Sequence, residues 1–187
     1  MAGATVWDAG DDLVTVGEGS GSTSYTADDL CDLGPADYAG VLALNNANAQ
    51  ETSVLNETTL AAIMDLAFYA RGVEGGATAF LIALDHAAAY NNENFAWLKT
   101  ARDSFVYVDR VIVAESARGR GIARMLYEDL FAKARAAGHV RVVCEVNVEP
   151  PNAASVAFHE ALGFVPIGEA TIHGGTKRVR YFEKLLC

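Results

Sequence analysis

Two periodicities run through this chain, and the points where one gives way to the other mark out its elements. "SFVYVDRVIVA", Ser104 to Ala114, is a β-branched and aromatic run of strand length, and "VRVVCEVNV", Val140 to Val148, is a second. Between them, "SARGRGIARMLYEDLFAKARAAG" returns apolar side chains at helical spacing through Ile122, Met125, Leu126, Leu130 and Phe131, with Gly138 as the stop. "NAASVAFHEALGF", Asn152 to Phe164, predicts another helix, capped at its start and ended by Gly163. Upstream, "DLCDL", Asp29 to Leu33, predicts a short strand. Tyr38, Val41, Leu42 and Leu44 then give an apolar side to a helix entered through Pro35. "NETTLAAIMDLAFYARG" predicts a helix from about Thr58 to Ala70, with Asn56 or Thr58 as cap and Gly72 as stop. Gly76 to Asp85 predicts a strand, and "FVPIGEATI" and "KRVRYFEKLL" predict two more near the end. His86 to about Ser104 is a polar and aromatic connection, long enough to suggest that it covers a site.

This order of strands and helices predicts an α/β (mixed α+β) fold with helices on both faces of one sheet. At 187 residues the chain can build a substantial core, and a single domain over residues 29–187 is expected. Residues 1–28 are rich in Gly, Ser, Thr and Asp and are read as a flexible N-terminal tail, within which "DDLVTV" has the composition of a short strand.

Charge narrows the partners. The formal net charge of -10 argues against a specific nucleic-acid partner, which would need many cations facing phosphates. The first seventy residues hold no Lys or Arg, so all basic residues lie from Arg71 onward, where an anionic ligand is better received. Cys31, Cys144 and Cys187 have no metal-site spacing, and a reducing compartment is expected. No apolar run is long enough to span a bilayer, so a cytoplasmic protein with no membrane partner is expected.

The junction "ARGRGIARML", Ala117 to Leu126, combines two glycines with three arginines where a strand gives way to a helix. Glycines there expose the unpaired amides of a helix start, which can hold phosphate oxygens. The bland alternative is a structural turn followed by a solvated basic face. The junction also resembles the coenzyme-A-binding segment of the GCN5-related N-acetyltransferases (GNAT): Arg118, Gly119, Arg120 in a variable position, Gly121, Ile122 and Ala123. Downstream, "NVEPPNAASVAFHEALGF" resembles that family's next unit, which closes on Leu162, Gly163 and Phe164. The resemblance runs from about Val106 to Phe164.

The resemblance implies a central, mostly antiparallel mixed sheet splayed between two parallel strands, with acetyl-coenzyme A or another acyl-coenzyme A as donor. It places the pyrophosphate on the amides from Arg118 to Ala123, and the pantetheine arm along Val111, Ile112 and Val113. Asn152 stands at a position that contacts the coenzyme arm. The splay between the two strands would admit the thioester. The implied reaction is transfer of the acyl group to a primary amine by direct attack. A noncatalytic coenzyme A-binding or regulatory protein of the same fold is the alternative.

Candidates for proton transfer follow from strand alternation, which puts Phe105, Tyr107, Asp109 and Val111 on one face and Val106, Val108, Arg110 and Ile112 on the other. Tyr107 and Asp109 thus point into one cleft. Asp109 is the expected base, against the reading of an ion pair. The resemblance implies a Tyr that protonates the departing sulfur at position 159, where this chain has His159. Its alternatives are packing, a structural hydrogen bond or coenzyme contact, and Tyr107 is the other candidate acid. Acceptor-binding candidates are Asn45, Asn46, Asn94, Trp97, Glu145 and His173. Against these stand a salt bridge for Glu145, a turn role around His173, and anchoring roles for the aromatic connection. The four histidines are dispersed along the chain and no metal site is expected. The acceptor is expected to be a small-molecule amine, with a protein or peptide amine as alternative, and a homodimer stays open.

Overall fold

The computed structural model describes residues 4–5, 24–49 and 52–187. Its strands are β1 (Ala4–Thr5), β2 (Leu30–Asp32), β3 (Ala67–Val73), β4 (Ala79–Asp85), β5 (Val106–Val113), β6 (Arg141–Glu149), β7 (Val165–Ile172) and β8 (Lys177–Leu185). The helices are α1 (Tyr38–Ala47), α2 (Glu57–Met64), α3 (Glu93–Ala101), α4 (Ile122–Ala136) and α5 (Ala153–Ala161). One sheet runs in the order β2-β3-β4-β5-β6-β8-β7, with β1 pairing β5 off that path. Only the β5–β6 and β1–β5 pairs are parallel; every other pair is antiparallel. The mixed, mostly antiparallel sheet covered on both faces is thus the fold. Among the described residues, no helix is long and apolar enough to cross a membrane.

Each face of the sheet buries its own core. On one side Leu126 and Leu130 of α4 and Phe158 of α5 pack on Val106, Val108 and Val111. On the other, Leu60 and Ile63 of α2 and Phe95 and Leu98 of α3 pack on Phe80, Ile82, Tyr107 and Ile112. The amphipathic stripe of α4 accounts for its docking: its apolar positions recur every three to four residues and face the sheet, while Arg124 and Glu128 face solvent.

The sheet's centre is irregular in two ways that matter for a site. First, β5 and β6 pair only through Val106 with Val142 and Tyr107 with Val143, after which β6 continues alongside β8. Past that short contact the two parallel strands part. β4 holds the other edge of β5 throughout, so β1, which pairs with β5 at Arg110 and Val111, lies on the edge facing β6. Second, the β4–β5 register shifts between Ile82 with Arg110 and Ala83 with Val108, leaving Asp109 as the extra residue of a bulge.

The bulge overturns the simple alternation expected for this strand. Arg110 and Ile112 share the face of Tyr107, while Val111 crosses to the side of Val106 and Val108. Two other expectations need correction. The helix expected from Thr58 to Ala70 ends at Met64, and its second half is β3. There Gly72 stops nothing: a Cβ on it would sit 2.5 Å from the Ala79 carbonyl oxygen, so its bare Cα permits the close β3–β4 pairing. The connection from His86 to Ser104 contains α3, capped by the Asn92 side chain, which accepts from the amides of Asn94 and Phe95 at 2.8 and 3.1 Å. Of the expected N-terminal tail, residues 1–3 and 6–23, including "DDLVTV", lie outside the described residues; Ala4–Thr5 form β1.

Candidate active site

β5 reaches α4 through a tight turn built for open backbone. After the short 3-10 turn Glu115–Ala117, Gly119 and Gly121 adopt φ values of 72° and 74°, which a side chain would strain. Gly121 is the N-cap of α4 and brings no side chain to cap it. The first bond of the helix is donated by Met125 to the Gly121 carbonyl, so the amides of Ile122, Ala123 and Arg124 have no helical acceptor. They sit at the positive end of the helix dipole, and a Cβ on Gly121 would meet nothing within 4 Å. Val113, Ala117, Arg118 and Gly119, with the first turn of α4, line a small pocket at this point. Arg118 folds back into the structure, donating to the Val113 carbonyl and to Asn48 Oδ1 at 3.3 Å each. Arg120 and Arg124 are exposed and supply charge at the rim.

From this turn the gap between β5 and β6 leads toward a buried polar network on the α1–α3 side of the sheet. Asp109 Oδ2 accepts from Arg110 Nε at 2.7 Å, and Asp109 Oδ1 accepts from the Tyr90 hydroxyl at 2.7 Å. Arg110 Nη1 in turn donates to Asn45 Oδ1 at 2.7 Å. On β6, Glu145 Oε1 accepts from the Tyr107 hydroxyl at 3.1 Å and from Asn94 Nδ2 at 2.9 Å, and Asn94 Oδ1 accepts from the Tyr181 hydroxyl at 2.9 Å. Burial, reinforced by the neighbouring charge of Asp109, pushes the Glu145 carboxyl well above the usual carboxylate range. Burial, and next the Glu145 charge, likewise raises the Tyr107 phenol.

The network is incomplete in a specific way. Arg110 Nη2, Glu145 Oε2 and Asn147 Oδ1 are all enclosed and have no hydrogen-bond partner. Each such atom costs roughly 1–3 kcal/mol. All three belong to the parts of β5 and β6 that have separated, so the unsatisfied polarity faces the region of the gap.

The expected site residues therefore divide. Tyr107, Asp109, Glu145, Asn94 and Asn45 come together in the network. Asp109 is held by an ion pair and a phenol, so both its oxygens are engaged, whereas Glu145 keeps one oxygen free. Asn46 stands at the network's edge: its Oδ1 accepts from Asn45 Nδ2 at 2.9 Å, and its side chain also bonds the backbone of Leu55 in both directions at 2.9 Å and holds the chain leading to α2. Trp97 stacks on Tyr181 with ring centroids 3.9 Å apart and fills the space over Gly168, an anchoring contact. His173 stands at the β7–β8 turn against Glu93, 3.2 Å from its carboxylate. Asn152 caps α5 by accepting from the Ser155 amide at 3.0 Å.

His159 is a correction to the expectation of an acid. It lies on the opposite side of the sheet, fully buried, with Nδ1 donating to the Ser155 carbonyl at 2.7 Å and Nε2 accepting from the Tyr127 hydroxyl at 2.8 Å. Aromatic rings of Tyr127, Phe158 and Phe164 surround it edge-on. Burial lowers its pKa to about 4, so the imidazole is neutral and both nitrogens are committed. Packing and structural hydrogen bonding account for it.

Sequence reasoning missed Tyr90, Arg110, Asn147 and Tyr181. Arg110 had a signal, two adjacent charges inside a strand that is otherwise β-branched and aromatic, but strict alternation sends it to the wrong face. The others are brought to the site only through tertiary contact.

On the donor side, the edge of β5 facing the gap is already used at Arg110 and Val111 by β1. An extended arm pairing along Val111 to Val113 would meet β1 at Val111 and find Ile112 and Val113 beyond it.

Comparison with known proteins agrees with this architecture. Residues 57–164 match the acetyltransferase (GNAT) family. The chain is 34% identical to the L-methionine sulfoximine/L-methionine sulfone acetyltransferase of Pseudomonas paraeruginosa, over 74% of this chain and 80% of that protein. It is 32% identical to the protein of the same name from Pseudomonas aeruginosa, with the same coverage. In three dimensions it is similar to Ard1 from Thermoplasma volcanium, with a TM-score of 0.65 at 14% identity over 84% of this chain and 97% of that one. It is also similar to yncA from Salmonella typhimurium, solved with its cofactor acetyl-CoA, with a TM-score of 0.61 at 21% identity over 84% and 93% of the two chains. At those identities the structural likeness speaks for the fold, while the family match spans more than half of the chain: this protein belongs to the acetyltransferase (GNAT) family.

Proposed function

We propose that the protein transfers an acetyl or other short acyl group from coenzyme A to the amine of a small molecule of amino-acid type. The observation that carries this reading is the sequence of open features along one gap: uncapped amides at the start of α4, separated parallel strands, and unpartnered polar atoms of Arg110, Glu145 and Asn147. Those amides and the rim charges of Arg120 and Arg124 suit a diphosphate. The donor supplies the activated thioester. The acceptor class is supported by the named activity of the two Pseudomonas relatives and by Arg110 Nη2, a buried cationic donor suited to an anionic or strongly polar oxygen on the acceptor.

In this reading Glu145 takes a proton from the acceptor's ammonium group, and the freed lone pair forms the C–N bond as the C–S bond breaks. A carboxylate whose proton affinity is raised toward that of an amine is the better base. Asp109 serves as a positioning residue, fixing Arg110 and Tyr90 through both oxygens. Tyr107, whose hydroxyl rests on Glu145, would hand a proton to the departing thiolate, which leaves as the thiol; the second proton that the nitrogen loses as the amide forms restores the phenol, and Glu145 releases the first to solvent. Asn94 orients Glu145, and Tyr181 orients Asn94.

Steady-state thiol release from acetyl-coenzyme A with a panel of amino acids, including methionine sulfoximine and methionine sulfone, and of peptide amines tests the reading. Turnover confined to free amino-acid-type amines is expected. Coenzyme binding without turnover on any amine would leave the noncatalytic reading in its place, and absence of coenzyme binding would remove both.

A further inference from the structure

Two histidines that lie 53 positions apart in the chain converge on one carboxylate at the end of the sheet away from the α4 turn. His86 follows directly on Asp85 at the end of β4, and His139 precedes β6. Asp85 Oδ1 lies 3.1 Å from His86 Nδ1, and Asp85 Oδ2 lies 3.0 Å from His139 Nε2. One ring nitrogen from each histidine and one carboxylate oxygen lie mutually within 4.8 Å, and among the described residues this is the one group of its kind.

The arrangement is built from fixed parts. The His86 amide donates to the Phe105 carbonyl at 3.0 Å, and the His139 amide donates to the Ala134 carbonyl at 2.9 Å. The Ala87 amide donates to Asp85 Oδ1 at 2.7 Å and sets the plane of the carboxylate. Phe68 packs edge-on against His139 at 5.1 Å, and the two imidazoles meet at 81° with centroids 6.2 Å apart. His86 Nδ1 is enclosed and, despite its 3.1 Å approach to the carboxylate, makes no hydrogen bond with it. Donor atoms of three side chains thus converge, and one of them, His86 Nδ1, has no hydrogen-bond partner.

We propose that Asp85, His86 and His139 bind a divalent first-row transition ion through two imidazole nitrogens and one carboxylate oxygen. Two nitrogens and an oxygen suit zinc and its neighbours, and the mixed set disfavours magnesium and calcium, which prefer oxygen alone. The site lies where β5 and β6 still pair, at Val106 with Val142 and Tyr107 with Val143. A bound ion would tie the α4–β6 turn to the end of β4 and so clamp the closed end of the strand gap. This inference is independent of the acyl-transfer reading, since none of its three ligands belongs to the network around Glu145.

Zinc titration of the metal-free full-length chain by calorimetry tests it, in a Cys31→Ser, Cys187→Ser background that removes the two exposed thiols. One equivalent of zinc is expected, with a rise in the thermal midpoint and an affinity at least about tenfold lower in His139→Ala and in Asp85→Asn. X-ray absorption of the zinc-loaded parent chain should show two imidazole ligands with oxygen, a readout that does not depend on any variant folding. Absence of zinc uptake, uptake unchanged in His86→Ala and His139→Ala, or a zinc shell without imidazole would overturn the proposal.

Discussion

His159 and Glu145 are both titratable, both fully enclosed, and on opposite sides of one sheet, yet they have opposite fates. Around His159, between α4 and α5, every polar atom of the ring has a partner and the remaining surface is aromatic. Around Glu145, between β6 and α3, one carboxylate oxygen is left over, as are single atoms of Arg110 and Asn147. In the first region the chain satisfies its own polar atoms; in the second it leaves three of them without a partner from the chain. Burial and a shifted pKa alone do not identify a functional group, since both residues have them. Incomplete satisfaction, beside two parallel strands that have parted, separates the two.

The strongest way to sharpen this contrast is Glu145→Gln, which keeps the shape and the bonds to Asn94 and Tyr107 but removes the carboxylate proposed as base. Loss of about 10²–10⁴-fold in kcat with coenzyme affinity retained is expected from steady-state and binding measurements. A variant with undiminished turnover across pH would return Glu145 to a structural role.

His159→Gln should do the reverse, leaving activity per folded molecule intact while changing how stability depends on pH. The folded pKa of about 4 lies below the ordinary 6.5, so the unfolded chain binds the extra proton between those values. Stability from this residue is complete above pH 6.5 and is lost as the pH falls toward 4, by up to about 3 kcal/mol. Denaturant titrations at several pH values should show that slope in the parent chain and not in the variant.

A smaller effect is expected where α3 meets the hairpin. A Cβ at Gly168 would lie 2.6 Å from the Trp97 ring, so Gly168→Val must displace the indole from Tyr181, at a cost of about 1–3 kcal/mol in thermal unfolding. Because Tyr181 supports Asn94, and Asn94 supports Glu145, kcat should fall with it more than KM rises. Smallest of all, deleting residues 1–5 frees the β5 edge at Arg110 and Val111. One backbone hydrogen bond's worth of competition, about 1 kcal/mol, corresponds to roughly fivefold tighter coenzyme A binding in calorimetry. Unchanged affinity would mean that β1 and the donor do not share that edge.

Several parts of this molecule are legible in the order of its residues because their causes are local. Glycines at positions 119 and 121 permit a left-handed turn wherever the chain takes them, Asn152 caps the helix that follows it, and the apolar spacing of α4 defines its buried side. The donor turn and the succession from β5 to α5 follow from such short-range rules. Where the rule depends on a distant partner, the reading fails. Residues 67–70 continue the apolar spacing of the helix before them, and pairing with β4 makes them, together with residues 71–73, a strand. A short stretch such as α3 shows too few apolar positions to declare its period.

The site belongs mostly to the second kind. One extra residue at Asp109 reverses the faces of the rest of β5, bringing Arg110 to the polar network and taking Val111 away from it. His159, at the position where the resemblance places an acid, is turned into core by a tyrosine 32 positions earlier in the chain. His86 and His139 meet only because parallel β5 and β6 align the ends of β4 and of the α4–β6 turn. Local sequence determines backbone conformation through sterics and hydrogen bonds within a few residues. Which polar atoms find partners within the chain, and which do not, is decided by contacts between segments far apart in it, and only the tertiary structure supplies those.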